Sequence, residues 1–180
     1  MIINTELERK GNQFPNQVVD LQKDVDTLYF KTENEIILQL TVLRDSVIRF
    51  RFATGGKFEP DFSYAIDEDA IRGYNHLELK EDKNYYHVHT AKLHIRIERK
   101  SLQTSIYDIE GNLINEDEIG FHFEESFEYG GNIVKMSKKA QHAESYYGLG
   151  DKPMHSNLRG KRVENWATDQ YAFAKDQDPI

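Results

Sequence analysis

Residues 36–52 read Ile36-Ile37-Leu38-Gln39-Leu40-Thr41-Val42-Leu43-Arg44-Asp45-Ser46-Val47-Ile48-Arg49-Phe50-Arg51-Phe52. Ile36, Leu38 and Leu40 alternate with Ile37, Gln39 and Thr41. After an Arg44-Asp45-Ser46 turn, Ile48, Phe50 and Phe52 alternate with Arg49 and Arg51. Successive side chains of a strand point to opposite faces, so this period of two marks strands with one buried and one wet face. The same rhythm extends both ways. Val18 to Leu21 and Leu28 to Lys31 are short strand candidates upstream. Downstream come Leu77 and Leu79, Tyr85 to Thr90, and Leu93, Ile95 and Ile97 alternating with His94, Arg96 and Glu98. Gln103 to Tyr107 and Leu113-Ile114 flank Asp108-Ile109-Glu110-Gly111-Asn112 and predict a β-hairpin. No convincing helical period occurs in the first 135 residues. Ile133 to Ser145 fits either a short helix or a strand. Strands spaced by turns in this way predict an all-β, antiparallel β-sandwich.

Composition agrees. The chain has 180 residues, which suits one domain, with 38% hydrophobic and 12% aromatic residues. Ten Tyr and ten Phe against four Pro favour strands. A net charge of -8 argues against nucleic acid and anionic membrane as partners, since both are polyanions. The absence of Cys excludes disulfide and thiolate chemistry. No cofactor is indicated. The N-terminal sequence has no apolar signal core, and no stretch approaches the ~20 apolar residues that span a bilayer. The expected location is cytoplasmic, or periplasmic or secreted if a signal peptide preceded Met1.

Residues 57–75 are irregular and acidic, a surface connection. From Tyr146 onward alternation stops, and Gly, Asn, Asp and aromatic residues accumulate. A long irregular segment of that composition is more often functional than connecting. Within it, Tyr147-Gly148-Leu149-Gly150-Asp151-Lys152 resembles the Tyr-Gly-Leu-Gly-Glu signature near the end of the N-terminal domain of family 31 glycoside hydrolases. Asp151 stands where Glu is usual, keeping the charge with a shorter reach. Arg159-Gly160-Lys161 is similar to the family's Arg-Gly-Lys step. Asn165-Trp166-Ala167-Thr168-Asp169 is similar to its Trp-Asn-x-Asp segment, and Asp176-Gln177-Asp178-Pro179-Ile180 to the start of its Asp-Pro-Leu-Tyr stretch.

The resemblance implies a galactose-mutarotase-like sandwich over residues 1–180, with its last strand or strands after Ile180. The irregular tail 146–180 then reaches toward a (β/α)8 barrel of the same protein. It implies a retaining α-glycosidase, most often an α-glucosidase, whose two catalytic aspartates belong to the barrel. No position here matches either, so no catalytic residue is assigned. The implied contribution is a wall of the sugar pocket. Asp169, Asp176 and Asp178 would accept hydrogen bonds from sugar hydroxyls, and Tyr171 and Phe173 would cover the apolar face of the ring. Asp176 and Asp178 are the foremost candidates. Against this stands the reading that Asp-Pro and its neighbours are ordinary turn residues. The expected partners are a carbohydrate and the barrel.

Several other residues invite a role. Trp166 is read as a core plug rather than a sugar platform. Gly148 and Gly150 suit positive φ. Arg159, Lys161 and Arg162 are read as surface charges pairing with Glu164 or Asp169. His87 and His89 lie two apart on one strand and face the same way, with His94 near in sequence. They are read as a polar outer face rather than as a metal site, which would need a third ligand. A stand-alone carbohydrate-binding module and an aldose mutarotase using His87 and His89 are the alternative functions.

Overall fold

The computed structural model describes residues 11–61, 76–126, 131–149 and 156–163. The chain divides into two compact units, residues 1–139 and 140–180. In the first unit, strands β1 (Val18–Lys23), β2 (Thr27–Thr32), β3 (Ile37–Arg44) and β4 (Val47–Ala53) form one antiparallel sheet in the order β1-β2-β3-β4. Strands β5 (Glu78–Glu81), β6 (Tyr85–His89), β7 (Leu93–Glu98), β8 (Thr104–Asp108), β9 (Leu113–Ser126) and β10 (Gly131–Lys138) form a second, six-stranded sheet in the order β10-β9-β8-β7-β6-β5. No helix occurs among the described residues. The expected all-β antiparallel sandwich is therefore the observed one.

The alternation explains both sheets. Phe30 pairs with Leu38, and Leu38 with Phe52; Leu28 pairs with Leu40, and Leu40 with Phe50. In the second sheet Val88 pairs with Ile95 and Ile95 with Ile106, while Tyr86 pairs with Ile97. Directly opposed residues share a face, so each row places apolar side chains on one side of its sheet. The two rows meet in one core, where Phe30, Leu38, Val88 and Ile95 are fully buried. Phe30 lies against Tyr86 with ring centroids 5.0 Å apart, and Phe52 stacks on Phe121 at 4.0 Å. The N–H of Val18 also donates to the carbonyl of Arg99 at 2.8 Å, tying the first sheet to the second.

Two ambiguities of the sequence resolve. Ile133 to Ser145 holds no helix: its first part belongs to β10, an edge strand paired with β9. β9 runs on for 14 residues, well past Leu113-Ile114. Between Gly120 and Asp117 its register with β10 slips, and Gly120 takes φ 77°. This bulge turns Asp117 inward, where its side chain is 2% exposed. Asp117 Oδ2 accepts hydrogen bonds from Thr104 N at 2.7 Å and Thr104 Oγ1 at 2.9 Å. Lys138 Nζ, 2.6 Å from Oδ1, completes the site.

Candidate functional site

Two clusters of polar and aromatic side chains stand apart from the core. The first is in the second unit, on the segment that carries the family-like motif. Tyr146 and Leu158 are joined by a backbone hydrogen bond from Leu158 N to Tyr146 O at 2.7 Å. Asn157 secures the same pair of segments, its Oδ1 accepting from Tyr146 N at 3.2 Å and from Arg159 N at 3.0 Å. Glu144 Oε2 accepts from Tyr146 Oη and from Gln141 N, both at 2.7 Å. The Tyr146 hydroxyl, then the Gln141 amide, hold the Glu144 carboxyl below the usual range, and Glu144 in turn raises the Tyr146 phenol.

A groove of about 650 Å³, lined among others by Ala140, Ser145, Tyr146, Tyr147, Leu158 and Val163, runs along this unit. Gly148 has φ 105° and Leu149 φ 65°, so the motif passes through two successive left-handed residues. That conformation costs little for Gly and of order 1 kcal/mol for Leu. It leaves Tyr147 and Leu149 exposed. The structure thus gives Gly148 the positive φ that its residue type suggests. Arg159 donates from Nη1 to the carbonyl of Glu144 at 2.7 Å. Its expected partners, Glu164 and Asp169, lie outside the described residues, as do Gly150, Asp151 and Trp166. The proposed sugar-contacting residues Asp169, Tyr171, Phe173, Asp176 and Asp178 also lie outside the described residues.

The second cluster lies on the face of the six-stranded sheet opposite the core. His87, His89 and His94 share that face because β6 and β7 pair His87 with Arg96 and His89 with His94. His87 Nδ1 is 3.0 Å from His94 Nε2, and His87 Nε2 is 3.0 Å from Asp82 Oδ2. His89 stacks on His94 with centroids 4.3 Å apart and planes 7° from parallel. Asp82 caps the β5–β6 turn, its Oδ1 accepting from Asn84 N and Tyr85 N at 2.7 Å each. The hydrogen bond to His87, then those two amides, bring its pKa down to about 2. Arg96 lies beside the histidines, over the rings of Tyr85 and Tyr107. Among the described residues, no three His, Asp or Glu side chains are placed to hold a metal ion. His87 and His89 share a face as their spacing requires. Sequence reasoning did not join Asp82, Tyr85, Arg96 and Tyr107 to them. The usable signal was the i, i+2 spacing of His94 and Arg96.

The match that decides the family is the model described as the glycosyl hydrolase 31 N-terminal galactose mutarotase-like domain, which covers residues 37–180. The chain belongs to this family. Solved structures agree in fold. The GH31 dextranase of Flavobacterium johnsoniae, solved with isomaltotriose or with glucose, superposes with a TM-score of 0.74 at 21% identity, over 93% of this chain and 20% of that one. A Listeria monocytogenes protein solved with α- and β-D-glucose, magnesium and calcium gives 0.73 at 16% identity, over 89% and 15%. The cycloalternan-forming enzyme of the same organism, solved with a pentasaccharide substrate, gives 0.70 at 15% identity, again over 89% and 15%. The chain therefore spans one fifth or less of the length of these structures. No curated protein matches the sequence significantly.

In this glycosyl hydrolase 31 N-terminal domain, the histidine face carries a pH dependence of its own. Burial, then Lys80 and His87, lower the pKa of His89 below 6.5, with Glu78 opposing. Burial, then His89, His87 and Arg96, lower that of His94. As pH falls through about 6.5, the unfolded chain takes up protons that these folded imidazoles resist, so the native state loses stability. The depressed carboxyl of Asp82 acts in a separate window. Its contribution is present above the unfolded value, near 4, and is lost as pH falls toward 2. We expect the urea midpoint to drop between about pH 7 and pH 5, and the drop to shrink in His94→Gln. An identical pH profile in the variant would exclude His94 as a source.

Proposed function

We propose that this domain serves a retaining α-glycosidase that removes terminal α-linked glucose, and that it forms one wall of the sugar pocket. The single observation that carries this reading is the family match over residues 37–180. The glucose and oligosaccharide bound in the similar structures support a glucoside as ligand. In this reading a catalytic barrel of the same protein supplies both reacting carboxylates. Retaining hydrolysis places them about 5 Å apart, one attacking the anomeric carbon and the other protonating the leaving oxygen and then activating water. The present chain contributes position. Carboxylates at Asp176 and Asp178, with Asp169, accept hydrogen bonds from sugar hydroxyls, and the rings of Tyr171 and Phe173 exclude water from the apolar sugar face. The cytoplasm is the proposed location.

The test compares two proteins. The isolated chain should release no p-nitrophenol from p-nitrophenyl α-glucoside, whereas the polypeptide carrying the barrel should. In the longer protein, Asp178→Ala should lower kcat/KM on the order of 10- to 100-fold, as expected for losing a hydrogen bond to a charged acceptor. Turnover by the isolated chain would refute the assignment of the chemistry to the barrel. An unchanged kcat/KM in Asp178→Ala would remove that residue from the pocket wall.

A further inference from the structure

We propose that Arg96, on the outer face of the six-stranded sheet, is the centre of a carboxylate-binding site suited to an acidic saccharide. Half-buried, it holds its guanidinium carbon 4.6 Å from the Tyr85 ring centroid and 5.5 Å from that of Tyr107. Its Nε is buried without any hydrogen-bond partner. Among the described residues the guanidinium has these ring contacts and no ion pair with a carboxylate. Nε itself is closed to solvent, but the two Nη groups of this half-buried side chain have no acceptor among the described residues and are open to one from outside.

Among the described residues, the carboxylates of the neighbouring strands are already engaged. Glu78 on β5 is 3.0 Å from Lys80. Asp82 is committed to His87 and to two turn amides. Glu98 on β7 accepts from Ser101. Asp108 at the end of β8 accepts from Asn112 through both oxygens. Glu116 on β9 is 2.9 Å from Lys139. Every one of these five carboxylates is engaged elsewhere, and none of them pairs with Arg96.

Geometry selects the ligand class. A guanidinium presents parallel N–H groups that match a planar carboxylate. The two tyrosine rings fix its plane and limit its rotamers, so little order is lost on binding. Beside it, His94 uses only Nε2 toward His87, leaving Nδ1 to meet a hydroxyl. His89, stacked on His94, widens the polar floor. A carboxylate next to ring hydroxyls, as in a uronate, fits this set. The net charge of -8 opposes anions only weakly here, because it is screened beyond about 8 Å at physiological salt. The carboxylate part follows from Arg96 alone; the saccharide part rests on the glycosidase reading above.

The experiment is an NMR titration of the whole chain at constant ionic strength. The Arg96 side-chain N–H and the His94 ring resonances are followed while sodium glucuronate, sodium acetate or glucose is added. Glucuronate should shift both sets saturably in the millimolar range. Acetate should move the Arg96 signal with about tenfold weaker affinity, and glucose should move neither. Arg96→Met keeps the aliphatic stem and should abolish the glucuronate response at unchanged melting temperature. Arg96→Lys keeps the charge without the fork and should weaken binding about tenfold. An unmoved Arg96 signal under glucuronate, or equal His94 shifts in Arg96→Met, would overturn the site. Acetate binding as tightly as glucuronate would overturn its saccharide character. None of these results bears on hydrolysis by the longer protein, so the two readings fail separately.

Discussion

Phe30→Ala should lower the unfolding free energy by about 3–5 kcal/mol, the usual cost of truncating a fully buried aromatic residue. Phe30 sits in β2 at 0% exposure, paired with Leu38 and facing Tyr86 across the sandwich. Two terms add. Transfer of the lost ring to water removes its hydrophobic contribution, and the void left between the sheets removes dispersion contacts. The surrounding residues have little freedom to fill that void. Leu28, Leu38, Val88 and Ile95 are each fully buried in rows held by ladder hydrogen bonds. Tyr86 cannot swing in, because Arg99 lies over its ring at 4.3 Å and itself pairs with Glu81 at 2.9 Å. Urea denaturation measures the effect, with Phe30→Leu as the comparison that keeps most of the volume. A loss under 1 kcal/mol in Phe30→Ala would mean the two sheets do not share this core.

Asp117→Ala should cost a comparable amount, about 3–5 kcal/mol, by a different route. The substitution leaves the Thr104 amide without its acceptor and Lys138 without its counter-charge, in a site where Asp117 is 2% exposed. Lys138 is about a third exposed and regains some water, which places the expected loss at the lower end of the range. Asp117→Asn separates charge from shape. It retains an oxygen for Thr104 and should cost about half as much. Lys138→Met removes the cation and leaves a buried carboxylate still hydrogen-bonded by Thr104. It should fall between the two. Equal stability of wild type and Asp117→Ala would show that the β9 bulge holds without its anchor.

How much of this was written in the chain differs from element to element. Ile36 to Phe52 declared two strands and a turn because each inward side chain is apolar and most outward ones are not. Asp108 to Asn112 declared a hairpin because Asp, Gly and Asn meet local backbone demands, and Asp108 does accept from Asn112 N at 2.7 Å. Ile133 to Ser145 stayed undecided. β10 is an edge strand with both faces partly wet, so its period of two is blurred. The absence of strands was legible for the described residues 146–149 and 156–163, as was the family motif. The unit boundary before Ala140 was not, since it depends on contacts rather than residue type.

By itself, the sequence determined that this protein is made of antiparallel strands, which side of most strands is apolar, and, through a short motif, its family. Those properties are local or read along one strand. Only the tertiary structure decided the rest. It set Phe30 against Tyr86, turned Asp117 inward to Thr104 and Lys138, and joined Asp82, His87, His94 and Arg96 on one face. Each of these depends on the register between strands, and a slip of one residue would send the same side chains to the other side of the sheet.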